Sequence, residues 1–115
     1  MRNSHEESYE RLKHTEKAIA TILNYTAGIQ ESDFSGNLLL IDAVLFQFTV
    51  IGEAIKHVES EKLSNYDYPW YKIRAFRNFI AHEYYEINNQ AVWNVIKQDV
   101  PKLKKLIETI LRNEF

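Results

Sequence analysis

The chain has 115 residues, 45% hydrophobic and 26% charged, with a formal net charge of −2. That size and balance exclude a disordered chain and leave room for a single domain over residues 1–115. There is no cysteine, and Gly and Pro number three and two. Disulfide scaffolds, zinc fingers and cysteine nucleophiles are therefore excluded, and turn-rich all-β folds are disfavoured. The slight negative charge argues against a whole-domain electrostatic trap for nucleic acid, so any such site must be local.

The first element starts near Ser4 or His5. Tyr9, Leu12, Ile19, Ile22, Leu23 and Ile29 recur at spacings near three or four, which predicts an amphipathic helix of about six turns. Asp33, Ser35 and Gly36 are turn residues, and Ser35 or Asn37 can cap the next helix.

A second helix is expected from about Asn37 to Val58. Ile41, Val44, Leu45, Phe48, Ile51 and Ile55 form one apolar face, and Leu39, Leu40, Phe46 and Val50 add apolar groups elsewhere. A helix apolar on most sides is central or touches neighbours on two faces. Gly52 costs about 1 kcal/mol relative to Ala inside a helix. Either a neighbouring helix approaches closely there, or the glycine is merely tolerated. The stretch Leu38 to Ile51 carries Asp42 and Gln47 and is too short and polar for a bilayer span. With a polar N-terminus and no leader pattern, the expected location is cytoplasmic, away from membranes.

Residues 59–67 read as a loop. Pro69 suits the start of a third helix reaching about Ala81, with Ile73, Phe76 and Ile80 on one face. Asn88 or Asn89 caps a fourth segment striped by Val92, Val95, Ile96, Leu103, Leu106, Ile107 and Ile110, which Pro101 should kink or split. The expected fold is all-α, an antiparallel bundle of four to five helices.

The informative stretch is Arg74-Ala-Phe-Arg77-Asn78-Phe-Ile-Ala-His82-Glu-Tyr84-Tyr85. Arg74, Asn78 and His82 fall at steps of four on one side of the third helix. His82 lies at its C-terminal end, where the macrodipole favours a cation. Metal-free RNA cleavage needs an acid or base at the 2′-oxygen and leaving oxygen, and a cation for charge building on the phosphoryl oxygens. Histidine and arginine supply those parts. No HExxH, aspartate cluster or glycine-rich phosphate loop offers a metal or nucleotide alternative, and no cofactor is implied. The same residues also suit a plain solvated helix end. One Arg and one His make a thin site, unless two copies meet across a two-fold axis.

Arg77-Asn78-x-x-x-His82-x-Tyr84 resembles the signature of the HEPN superfamily. More closely, the chain resembles the HepT toxins of HepT/MntA (HEPN/MNT) toxin–antitoxin pairs. Ile51-Gly52-Glu53-Ala54, Pro69-Trp70, Val92-Trp93 and Asp99-Val100-Pro101 with Leu103 carry that likeness over residues 37–111. The resemblance implies a homodimer whose Arg/His motifs share a cleft, acting on tRNA or mRNA as a metal-independent endoribonuclease toxin. It implies that Arg77 and His82 are catalytic and that Asn78 supports them. Arg74 and Glu53 are further supporting candidates. Tyr84 is the expected acceptor of AMP from the cognate nucleotidyltransferase antitoxin, with Tyr85 adjacent to it. The alternative is a non-catalytic subunit that binds a nucleotidyltransferase or its substrate. A purely structural bundle leaves the clustered motif unexplained.

Other polar and aromatic groups read as structural. His57 with Lys56 and Lys62 suits a solvated basic helix end. His5 and His14 suit the surface, Lys97, Lys102, Lys104 and Lys105 a solvated face, and Trp70 and Trp93 packing.

Overall fold

A computed structural model describes residues 3–115; the first two residues of the expected domain lie outside that description. Most of the described residues are helical, and none of them forms a strand. The elements are α1 (Ser4–Tyr25), α2 (Glu31–Ser35), α3 (Leu38–Lys56), α4 (Ser60–Ser64) and α5 (Trp70–His82). A 3₁₀ turn, Tyr84–Glu86, leads into α6 (Asn89–Asn94), a π-helical segment (Val95–Asp99) and α7 (Val100–Glu114). Four long elements thus match the expected bundle, the last being α6 through α7 without a break. Two short helices are additional.

Asparagine caps three of the helices. Asn3 accepts from the Glu6 amide, Asn37 from the Leu40 amide, and Asn88 from the amides of Gln90 and Ala91. Each satisfies donors that have no partner inside the helix. The choice between Ser35 and Asn37 therefore falls to Asn37, and that between Asn88 and Asn89 to Asn88.

Neighbouring long elements run antiparallel, as contacts between opposite ends show. Ser8, early in α1, accepts from the Glu59 amide just past α3. His5 and Tyr9 stack on Phe115, at the far end of α7. Tyr84, just past α5, reaches Asp42 near the start of α3.

The core gathers Leu12, Ile19 and Ile22 of α1, Val44 and Ile51 of α3, and Ile96, Ile107 and Ile110 of the last element, all essentially inaccessible. Burying each such side chain stabilises by about 1.5–3 kcal/mol. α3 lies between α1 and α5, which accounts for its many-sided apolar character. Its start nonetheless leaves Leu39 83% and Phe46 63% exposed.

Several expectations are revised. The residues expected as a turn at Asp33 and Ser35 form α2, because Asp33 reaches back to accept from the Gln30 amide and Phe34 is drawn fully into the core against Trp93. The expected loop over 59–67 contains α4, fixed by buried Leu63. α1 stops before Ile29, at a turn where Gly28 adopts φ 73°. Pro101 is accompanied by the interruption expected of it: it sits in the first turn of α7, and the regular α-helix gives way just before it. There the Val100 amide reaches the Val95 carbonyl, a widened turn of π type. Finally, α3 has 19 residues and is long and apolar enough to cross a membrane by length and composition alone. A buried core helix passes the same test, and the observed bounds agree with the helix expected over about 37–58.

Candidate active site at the α3–α5 contact

α5 lies on α3 at Gly52. A Cβ added at Gly52 would collide with the Arg77 Cβ and come within 2.7 Å of its Cγ. The glycine is therefore a close-approach position, which settles the question left open by the sequence. The approach brings Arg77 beside Glu53, with Nη2 3.5 Å from Oε2. The Arg77 Nη1 donates to the Asn78 side-chain oxygen at 3.2 Å. Its Nε is buried and has no hydrogen-bond partner. Arg77 is thus half-buried, oriented from two sides, and retains an unused donor.

Glu53 is itself the centre of a small charge cluster. His57, one turn on, places a ring nitrogen 3.4 Å from Glu53 and the other 3.8 Å from Glu7 of α1. The hydrogen bond from His57, followed by the charges of Lys56 and Arg77, holds the Glu53 carboxyl below its ordinary value, against an opposing desolvation effect. The basic helix end expected at His57 is therefore a histidine between two carboxylates.

His82 is the last residue of α5 and is exposed. It makes no hydrogen bond or ion pair among the described residues. It lies five positions after Arg77, a rotation of about 140° around a helix, so the two leave α5 in different directions. Arg74 is exposed and makes no ion pair among the described residues. One chain thus brings together Arg77, Asn78 and Glu53, and leaves Arg74 and His82 facing outward.

Tyr84 comes next, on the 3₁₀ turn. Its hydroxyl donates a hydrogen bond to the Asp42 carboxylate of α3. That bond, then desolvation and the Asp42 charge, push the phenol above its ordinary value of 10.0. Tyr85 packs edge-on against Tyr84 with ring centroids 5.2 Å apart, and is 95% exposed. Asp42 is the residue the sequence reading missed as part of the site. The available signal was its position eleven residues, or three helical turns, before Glu53, on the same face of an otherwise apolar helix.

A cavity of about 460 Å³ lies between α3, α5 and α7, lined by groups that include Phe48, Tyr68, Phe76 and Leu103. Arg77, Asn78, His82 and Tyr84 do not line it. Trp93 is buried, and the Trp70 ring nitrogen donates to the Leu63 carbonyl, so both tryptophans are packing residues as expected.

An all-α bundle that sets a clamped arginine little more than a turn before an exposed histidine at a helix end defines a class of small helical domains with a polar motif on one helix. Residues 15–110 match the family described as Ribonuclease HepT-like, and the chain belongs to that family. Among its relatives is a protein of Methanocaldococcus jannaschii named "Gamma-glutamylcyclotransferase and putative RNase". It is 35% identical over 87% of this chain, which spans 46% of that longer protein. A second from the same organism, named "Putative RNase", is 32% identical over 77% of this chain and 83% of its own length. A Thermococcus cleftensis protein named "Probable ribonuclease HepT" is 28% identical over 96% of this chain and 98% of its own. No solved structure matches the chain.

Proposed function

We propose that this protein is a metal-independent endoribonuclease and the toxin of a HEPN/MNT toxin–antitoxin pair. The observation that carries the reading is the arginine clamp. Arg77 is oriented by Glu53 and Asn78 while its side chain stays 35% exposed, in a family described as ribonuclease-like. A guanidinium held this way would donate to a phosphoryl oxygen through its Nη groups, since the buried Nε is out of a substrate's reach.

In the proposed reaction, His82 takes the proton from a ribose 2′-hydroxyl. The 2′-oxygen attacks the adjacent phosphorus and the bond to the 5′-oxygen breaks, leaving a 2′,3′-cyclic phosphate. Arg77 stabilises the charge on the phosphoryl oxygens in transit. The leaving 5′-oxygen needs a proton, and a second copy of the chain would bring a second His82. The divergent directions of Arg77 and His82 favour such a shared cleft between two protomers. So do the exposed Leu39, Phe46, Tyr71 and Phe79 on the two helices that frame the motif.

Neutralisation would come from the cognate nucleotidyltransferase, which transfers AMP from ATP to Tyr84. The added phosphate and nucleoside would repel and obstruct RNA two residues from His82. RNA cleavage is to be measured with unmodified protein of verified mass in excess chelator, on total tRNA and a long messenger. Cleavage by wild type and none by His82→Ala supports the reading. No cleavage by either favours the non-catalytic nucleotidyltransferase-binding subunit.

A further inference from the structure

We infer that Asp42 is the general base for nucleotidyl transfer onto Tyr84, so that the modified protein itself supplies the catalytic carboxylate. The inference rests on the reading of Tyr84 as AMP acceptor and adds which group takes the proton.

A phenol is a weak nucleophile until its proton leaves. At neutral pH the Tyr84 hydroxyl is protonated, and its surroundings make it harder to ionise. Attack on an α-phosphorus therefore needs a proton acceptor within hydrogen-bond reach of the hydroxyl. The structure places one there. Asp42 comes from α3, 42 positions earlier in the chain, and accepts directly from the Tyr84 hydroxyl. Asp42 stands on a long helix anchored to α1 and α5, so the acceptor is held on a rigid element.

The neighbouring tyrosine provides an internal comparison. Tyr85 is far more exposed than Tyr84, at 95% against 37%, and exposure alone would make it the better target. Yet Tyr85 has no hydrogen-bonded carboxylate among the described residues. The two phenols thus differ both in exposure and in the proton acceptor, and only the acceptor favours Tyr84.

The step balances with ATP as co-reactant. A lone pair of the Tyr84 oxygen forms a bond to the α-phosphorus. The bond from that phosphorus to the oxygen bridging the β-phosphate breaks, and pyrophosphate leaves with its electron pair. The phenolic proton passes to the Asp42 carboxylate and then to solvent, since Asp42 is exposed.

The test uses full-length unmodified protein, the proposed cognate nucleotidyltransferase, and magnesium ATP, with transfer followed by intact mass. Asp42→Asn keeps an oxygen to accept from Tyr84 but cannot carry the proton. It is expected to slow transfer by about 10²-fold or more at saturating ATP, with KM for ATP unchanged. Asp42→Glu, which restores a carboxylate, is expected to be faster than Asp42→Asn. Tyr84→Phe should take no AMP and Tyr85→Phe should behave as wild type. Thermal melting confirms that each variant is folded. Transfer to Asp42→Asn at the wild-type rate overturns the inference while leaving Tyr84 as acceptor. A faster rate also overturns it, because Asp42 would then be a restraint on the hydroxyl. An Asp42→Glu variant no faster than Asp42→Asn overturns it as well. If wild type gains no AMP, or gains it on Tyr85, the underlying reading fails and the inference with it.

Discussion

Replacing Gly52 by alanine tests the contact on which the whole site depends. The new methyl would overlap the Arg77 Cβ and lie 2.7 Å from Cγ, whereas carbon atoms pack at about 3.5–4.0 Å. The obstructing atoms are at the root of the arginine side chain, so rotation of its tip gives no relief. Either α5 moves off α3 by roughly 1 Å, or Arg77 changes rotamer and leaves Glu53. Overpacking of this kind costs about 1–3 kcal/mol. Alanine recovers about 1 kcal/mol of helix propensity. With the overlap at the backbone end of the side chain, the net expectation is a loss of about 1–2 kcal/mol. For a chain of this size that lowers Tm by roughly 4–8 °C. A shift of about 1 Å in a catalytic group can cost on the order of 10²-fold in rate. Calorimetry reads the first effect and initial rates of RNA cleavage read the second. A Gly52→Ala variant that melts at or above wild type and cleaves normally would refute the close approach of α3 and α5.

Three further outcomes are expected. His82→Ala and Arg77→Ala should each abolish cleavage, and His82→Ala should change stability by no more than about 0.5 kcal/mol because the residue is exposed and unpaired among the described residues; circular dichroism with a gel-based cleavage assay checks both. The Glu53 carboxyl should titrate below its ordinary 4.5, and His57→Ala should move its midpoint back upward, as followed by carbon-13 NMR. A depressed carboxyl contributes stability that is present above the unfolded value and is lost as pH falls through the folded one, so any effect of Glu53→Gln on melting should fade in strong acid. Phe34→Ala should cost about 3–5 kcal/mol, since Phe34 is fully buried against Trp93, and urea unfolding that showed a loss under about 1 kcal/mol would contradict the placement of α2.

The all-helical class, the four long elements and most of the core were legible because periodic apolar spacing needs no knowledge of partners. Leu12, Ile19 and Ile22 of α1, or Leu103, Ile107 and Ile110 of α7, read directly as buried stripes. The short helices were not legible. α2 and α4 have five residues each, too few to show a period, and each is held by one buried side chain, Phe34 and Leu63. The widened turn before Pro101 was partly legible, since the proline signalled an irregularity but not where the helix would absorb it.

The sequence by itself determined which helix carries the polar motif, and that Arg77, Asn78, His82 and Tyr84 belong to it, since these lie within eight residues. Tertiary structure decided what those residues touch. Glu53 and Asp42 lie 24 and 42 positions from Arg77 and Tyr84, and reach them only because α3 and α5 run antiparallel. Whether Gly52 was a concession or a requirement depended on the helix lying across it. Local spacing sets which side chains share a helix face; only the packing of that face against a distant segment sets their charge partners.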